Sequence, residues 1–117
     1  MMVDIRGKLE LSLAVRRMIA RRLGFALDRF GARISAVTVW LSDVNGPRGG
    51  VDTLCRLKVA LTAGRPVVVE ARDASVPSVI AGAADRIARA VARELSQRRQ
   101  LDGLTLRDLT ARASRGF

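Results

Sequence analysis

The stretch TLCRLKVAL, residues 53–61, alternates apolar and polar side chains and decides the class of fold. Successive side chains of a strand point to opposite faces, so Leu57 and Val59 fall on one face and Arg56 and Lys58 on the other. This alternation is typical of an antiparallel sheet that has one covered face and one wet face. We therefore expect a half-buried strand, with the two apolar residues under helices and the two basic residues in solvent.

Three further strands are predicted outward from this one. After it, the turn TAGR (62–65) leads into a strand over 66–72, which makes a hairpin. Before it, ISAVTVWL (34–41) is rich in β-branched residues, and turn formers fill 43–50. These three strands predict an antiparallel meander, and the short alternating stretch VDIR at 3–6 predicts a fourth strand.

Two helical patterns flank the meander. Ser12 is predicted to cap a helix that runs to Phe30 and Gly31, and Ser78 to cap one that runs to about Gln100 after the linker 73–77. Apolar residues recur every three to four positions in both helices. The predicted buried stripes are Val15, Ile19, Leu23, Ala26 and Phe30 in the first helix, and Ile80, Ala84, Ile87, Val91 and Leu95 in the second.

The order of elements, β-α-β-β-β-α, predicts an α+β fold in which two helices pack on one face of a four-stranded sheet. We assign residues 1–100 to one domain and 101–117 to a C-terminal tail. The pattern Thr105 to Asp108 resembles a capping box, so the tail is either a short helix or a frayed end.

The composition excludes several classes of protein. The chain has 117 residues, 49% of them hydrophobic, which suits a single folded domain. It has no histidine and one cysteine, Cys55, so the usual proton-transfer group, an internal disulfide and multi-cysteine zinc sites are absent. Cys55 falls on the apolar face of its strand, which indicates a core thiol rather than a nucleophile. We expect no cofactor, no metal ion, no small-molecule substrate and no catalytic residues.

The charge balance favours a polyanionic partner. There are 21 Lys and Arg against 11 Asp and Glu, a formal net charge of +10. Such a surplus suits RNA, DNA or an anionic membrane surface. No apolar run has the length of a membrane span and no signal peptide opens the chain, so we expect a cytoplasmic protein without membrane association. All basic residues except Lys8 and Lys58 are arginine, which is consistent with bidentate phosphate contacts or with a GC-rich genome.

The surplus is concentrated on the helices, where regions 12–33 and 78–100 hold eight of the ten net charges. At 100° per residue, Arg86, Arg89 and Arg93 fall within a sector of about 60° opposite the apolar stripe. The exposed faces of both helices carry few acidic residues among their arginines. Ordinary solvated helix faces mix charges of both signs. The candidate nucleic-acid-binding residues are Arg16, Arg17, Arg21, Arg22, Arg86, Arg89, Arg93, Arg98 and Arg99.

Other classes of function remain open. A nucleic-acid enzyme would use scattered aspartates to bind Mg²⁺, but no motif clusters them. A protein-interaction module would use the open face of the sheet or the apolar residues of the tail. Trp40 either stacks on a base from that open face or packs against its neighbours, and the low aromatic content favours recognition of structured RNA by shape and phosphates.

Several segments resemble the ribosome hibernation-promoting factor and ribosome-associated inhibitor A family, whose members are also described as ribosomal subunit interface proteins. The resemblance covers roughly residues 3–100 and lies in the order and spacing of diffuse motifs. The segments that carry it are VDIRG at 3–7, LAVRRMI at 13–19, ISAVTVWL at 34–41, EARD at 70–73 and DRIARAVAR at 85–93.

This resemblance implies a fold similar to that of double-stranded-RNA-binding domains. It also implies a non-enzymatic translation inhibitor that binds the small ribosomal subunit near the decoding region, with both helices contacting 16S rRNA. Arg16 and Arg22 match basic positions of the first helix, and Arg86, Arg89 and Arg93 match the basic face of the second.

The chain also departs from this family. The segment 73–80 is about two residues longer than in family members and lacks their aromatic residue, and the tail is too short for the dimerisation domain of the longer forms. The alternative is a divergent paralogue that acts as a general structured-RNA-binding or protein-interaction module. The sequence leaves open the oligomeric state, and whether single or paired ribosomes would be the target.

Overall fold

A mixed four-stranded sheet with strand order β1-β2-β3-β4 forms the base of the molecule. The computed structural model describes residues 2–45 and 51–102. A 3₁₀ segment, Asp28–Arg33, follows the first helix. The strands and helices are β1 (Val3–Gly7), α1 (Leu13–Leu27), β2 (Ile34–Asn45), β3 (Val51–Leu61), β4 (Val67–Asp73) and α2 (Val76–Asp102).

The register confirms the predicted meander. β2 pairs antiparallel with β3, and β3 pairs antiparallel with β4, while β1 runs parallel to β2 at the edge. Leu57 and Val59 are buried, and Arg56 and Lys58 are exposed on the other face, as the alternation in β3 predicts. The α+β fold with two helices on one face of a four-stranded sheet is therefore confirmed.

The core lies between the sheet and the two helices. α2 packs over β3 and β4, and α1 lies beside α2. The predicted stripe of α2 is buried throughout, since Ile80, Ala84, Ile87, Val91 and Leu95 are at most 8% exposed. In α1 the buried residues are Ile19, Leu23 and Leu27.

The end of the first helix differs from the prediction. The α-helix stops at Leu27, and the chain continues as the 3₁₀ segment, in which Gly31 has a positive φ of 53°. The tighter winding changes the phase of the side chains. Leu27 enters the core because it follows Ile19 and Leu23 at four-residue spacing within α1, whereas Phe30, in the 3₁₀ segment, is only partly buried.

The predicted cap of the second helix is wrong. α2 begins at Val76, not after Ser78, and Ser75 occupies the capping position. The Oγ of Ser75 accepts a hydrogen bond from the backbone N–H of Ser78 at 3.3 Å, and its carbonyl accepts one from Val79 at 3.0 Å. Pro77 lies in the first turn of α2, where a proline is tolerated because the backbone N–H groups there have no partner within the helix.

The strand bounds shift by a few residues. β2 extends to Asn45, four residues beyond the predicted end, and β4 spans Val67–Asp73 rather than 66–72. The predicted turn at 43–50 is therefore strand up to residue 45, and residues 46–50 lie outside the described residues. α2 runs to Asp102, and the Thr105 capping box lies outside the described part of the chain. The division between domain and tail stays a prediction.

Candidate nucleic-acid interface

The helices place most of the candidate arginines at the surface. Ser12 begins α1, because its Oγ accepts the Val15 N–H at 3.2 Å, and the buried stripe then turns the basic residues outward. The exposed candidates are Arg16, Arg17, Arg21 and Arg22 on α1, and Arg86, Arg89 and Arg93 on α2. Arg98 and Arg99 lie in α2, but their side chains are outside the described part of the structure.

Two arginines of α2 are engaged within the protein. Arg86 donates from Nη1 to the carbonyl oxygen of Glu70 in the edge strand β4 at 2.8 Å. Arg89 Nη2 lies 3.0 Å from Asp85 Oδ2, one helical turn away. The expectation that this helix face barely mixes charges of opposite sign is therefore wrong in its first half. Both members of the Arg89–Asp85 pair are about two-thirds exposed, so the pair contributes little to stability and can exchange partners.

A groove runs between α1 and α2, and no pattern in the sequence indicates it. It consists of two adjoining clefts that share Arg29. The first cleft is lined by Arg22, Phe25, Ala26 and Arg29 on one side and by Ala81, Ala84, Asp85 and Ala88 on the other. The second is lined by Arg29, Phe30 and Arg33, opposite Ala92, Leu95 and Ser96.

Arg29 and Arg33 are the residues that the candidate set missed. The guanidinium of Arg29 stacks over the Phe30 ring, 4.7 Å from its centroid, which is the range of a cation–π contact. In the sequence, Arg29 follows Arg22 by seven residues, a spacing that would put both on one face of a continuous helix, although α1 ends at Leu27 in the structure. Arg33 is the last residue of the 3₁₀ segment, whose winding no helical phase could predict.

A third cleft lies on the other side of α1, next to the edge strand β1. Its lining includes Arg21 and Asp28, whose opposite charges offset each other, and Phe25 at its rim is 79% exposed. This cleft therefore offers less to a polyanion than the groove between the helices.

The open face of the sheet carries cations as well, but carboxylates accompany them. A row across the four strands contains Arg6, Trp40, Arg56 and Glu70. Arg6 Nε lies 2.6 Å from Asp4 Oδ2, and Arg56 Nε lies 4.0 Å from Glu70 Oε1. Trp40 is half-buried in this row, which favours packing over base stacking. The helical side is thus the more positive face.

Cys55 has the properties of a core thiol. It is buried in β3, and burial raises the pKa of its thiol from the ordinary 9.0 to about 11. A thiol that stays protonated at neutral pH is a poor nucleophile. The prediction that Cys55 is buried in the core is confirmed.

Within residues 2–45 and 51–102, no three metal-ligating side chains cluster. None of the helices there is long and apolar enough to cross a membrane.

Comparison with known proteins identifies the fold. No protein-family model matches this chain, and no curated protein sequence does. A ribosomal subunit interface protein from Coxiella burnetii superposes with a TM-score of 0.67 at 14% identity, over 82% of this chain and 99% of that one. The N-terminal domain of Thermus thermophilus Protein Y superposes with a TM-score of 0.63 at 26% identity, over 77% of this chain and 93% of that one. The chain therefore shares its fold with these two proteins.

Proposed function

We propose that this protein is a non-enzymatic translation inhibitor that binds the ribosome, as a hibernation factor does. Its target is the 16S rRNA of the small subunit near the decoding region, and its binding surface is the helical side of the sheet. The supporting observation is that arginines of both helices lie on one side of a fold shared with a ribosomal subunit interface protein.

The charge distribution supports a phosphate-binding role for this side. Each arginine that approaches a phosphate releases condensed counterions and forms charge-assisted hydrogen bonds, and neither contribution requires a specific base. On the sheet face Arg6 and Arg56 have carboxylate partners, whereas among the candidate arginines of the helices whose side chains the structure describes, only Arg89 has one. A polyanion gains more from the helices than from the sheet.

Co-sedimentation with ribosomes through sucrose tests the proposal. We compare Arg89→Gln/Arg93→Gln on α2 with Arg56→Gln/Lys58→Gln on the sheet, since each pair removes two positive charges from exposed positions. Arg86 is left intact because its side chain donates a hydrogen bond to the Glu70 carbonyl oxygen in the edge strand β4. We expect the helix variant to lose affinity for the small subunit by about 10-fold or more, and the sheet variant to lose much less. Equal binding by wild type and helix variant, with loss in the sheet variant, would show that the wrong face was chosen.

Competition distinguishes ribosome binding from general RNA binding. An excess of an unrelated RNA duplex should leave the ribosome complex largely intact if the target is a specific rRNA surface. If the duplex displaces the protein at equal phosphate concentration, the protein is a general structured-RNA-binding module.

A further inference from the structure

We propose that β1 is a self-association edge: the β1 strands of two copies of this chain pair antiparallel and join two four-stranded sheets into one of eight strands. The partner is therefore a second copy of the protein. This inference goes beyond the proposed function and does not depend on it, because it concerns an edge of the sheet rather than the helical side.

The outer edge of β1 offers backbone groups to another strand. In the described part of the chain, no other strand lies against this edge. The N–H of Val37 in β2 donates to the carbonyl oxygen of Met2 at 3.1 Å. Parallel pairing uses every second residue of an edge strand, so Asp4 also faces β2, whereas Val3 and Ile5 direct their N–H and C=O groups away from the sheet. Such a row of groups is a template for an added strand.

The opposite edge of the sheet is protected. β4 packs against α2, and Arg86 of that helix donates from Nη1 to the carbonyl oxygen of Glu70 at 2.8 Å. A strand that added to β4 would have to displace this hydrogen bond. Among the side-chain hydrogen bonds of residues 2–45 and 51–102, none reaches the backbone of Val3–Gly7. Of the two edges, β1 is therefore the one that is open to a second copy.

The charges of β1 are self-complementary in one register. Asp4 and Arg6 are exposed on the open face of the sheet, with Nε and Oδ2 2.6 Å apart within one copy. An antiparallel pair centred on Ile5 sets Asp4 opposite Arg6 of the partner and Arg6 opposite Asp4, so that four charges alternate in sign. Centring on Asp4 or on Arg6 would set like charges directly opposite each other, which is destabilising. The register centred on Ile5 also makes the two Ile5 residues a hydrogen-bonded pair, since both direct their backbone groups outward.

The apolar side of β1 is incompletely covered within one copy. The side chains of Val3 and Ile5 point to the helical side, where they are only half-buried. The cleft between β1 and α1 opens beside them, and its lining includes Gly24, Leu27 and Phe25, the last 79% exposed. A second β1 at this edge packs Ile5 against Ile5 of the partner and removes apolar surface from water, which favours association.

Electrostatic repulsion opposes association, because each copy has a net charge of +10. The segment at the interface is itself balanced, since Asp4 and Glu10 offset Arg6 and Lys8. The pairing strands therefore add no repulsion of their own. The association is best measured at an ionic strength of about 0.15 M, where a Debye length of about 8 Å screens the long-range repulsion.

Sedimentation velocity of the full chain, at increasing protein concentration and without ribosomes, tests the proposal. We expect the mass to rise from 12.7 kDa towards twice this value. Asp4→Arg places four arginines at the centre of the paired strands, and Arg6→Asp places four aspartates there. Each substitution should raise the Kd of the dimer by about 10-fold or more, because both charge pairs become like-charged. A purely global charge effect would instead move the two variants in opposite directions, since one adds positive charge and the other removes it.

Two rescue experiments identify the register. An equimolar mixture of the Asp4→Arg and Arg6→Asp variants should form a mixed dimer, in which every arginine faces an aspartate. The exchange variant Asp4→Arg/Arg6→Asp keeps the net charge and should dimerise as wild type does. The matched control is Arg72→Asp on the exposed side of β4, which changes the charge by the same amount as Arg6→Asp and should leave the dimer intact.

Several results would overturn the proposal. A wild-type chain that stays monomeric at the highest concentration does so directly. A dimer that survives both single substitutions, or that is lost in Arg72→Asp alone, uses another surface. A mixture of the two single variants that stays monomeric excludes the antiparallel register. None of these results bears on the proposed function, because ribosomes are absent from the measurement and the helical side is unchanged in every variant.

Discussion

At the scale of single residues, Gly7 is required by a close approach of two strands. Its φ is 121°, and a Cβ at this position would collide with the backbone of Leu41, its partner in β2. Gly24 lies in the middle of α1, and a Cβ there would meet no atom within 4 Å.

We therefore expect Gly7→Ala to lower the free energy of unfolding by about 2–4 kcal/mol, because the collision is with backbone and the backbone conformation is strained. Gly24→Ala should raise it by about 0.5–1 kcal/mol, since alanine is the better helix former. Urea denaturation measures both changes. Equal effects of the two substitutions would contradict the close approach at Gly7.

Cys55 links stability to alkaline pH. Burial raises the pKa of its thiol in the folded protein to about 11, above the ordinary 9.0, so the unfolded chain releases the proton first. The contribution of this group to stability is complete below about pH 9 and is lost as the pH rises towards 11. We expect the free energy of unfolding to fall over this range in urea titrations. Cys55→Ala should have a shallower fall, whatever its stability at neutral pH, and an unchanged fall would assign the effect to other groups.

At the scale of elements, the start of α2 separates two serines that the sequence does not distinguish. The hydroxyl of Ser75 accepts the Ser78 N–H at 3.3 Å, and the hydroxyl of Ser78 contacts that of Ser75 at 3.0 Å. Only Ser75 satisfies a backbone donor at the helix end, so only its loss leaves that group without a partner.

Ser75→Ala should lower the free energy of unfolding by about 1 kcal/mol, the usual cost of a lost N-cap. Ser78→Ala should cost only a few tenths of this amount, because alanine is favourable inside a helix. Denaturant midpoints of the two variants measure the difference. A larger cost for Ser78→Ala would place the cap at Ser78.

At the scale of the whole molecule, the net charge of +10 predicts a steep salt dependence. If about five arginines contact phosphates, the logarithm of the ribosome-binding constant should fall with the logarithm of salt concentration with a slope of about −4. Binding titrations at several KCl concentrations measure this slope. A slope near zero would indicate apolar docking and would contradict a phosphate interface.

The fold was predictable wherever a local pattern had one interpretation. The alternation in β3 identified its buried face, and every residue of the stripe predicted for α2 is buried, although Val79 and Ala83 are buried there too and were not predicted. The N-cap of α2 was not predictable, because both Ser75 and Ser78 fit the local rule and Pro77 is allowed in a first turn. The end of α1 was missed because the change to 3₁₀ winding depends on packing rather than on local preference.

For the candidate site, the sequence alone determined that most of the surplus charge lies on the helices and that Arg16, Arg17, Arg21, Arg22, Arg86, Arg89 and Arg93 are exposed there, since the charge and the helical period follow from residue order. Only the tertiary structure decided which arginines meet. The side-by-side packing of α1 and α2 brings Arg22, Arg29 and Arg33 opposite a row of alanines, and the docking of α2 on β4 directs Arg86 to the Glu70 carbonyl. The physical reason is that helical phase fixes a direction around one axis, whereas a groove or an edge contact depends on where a second element lies.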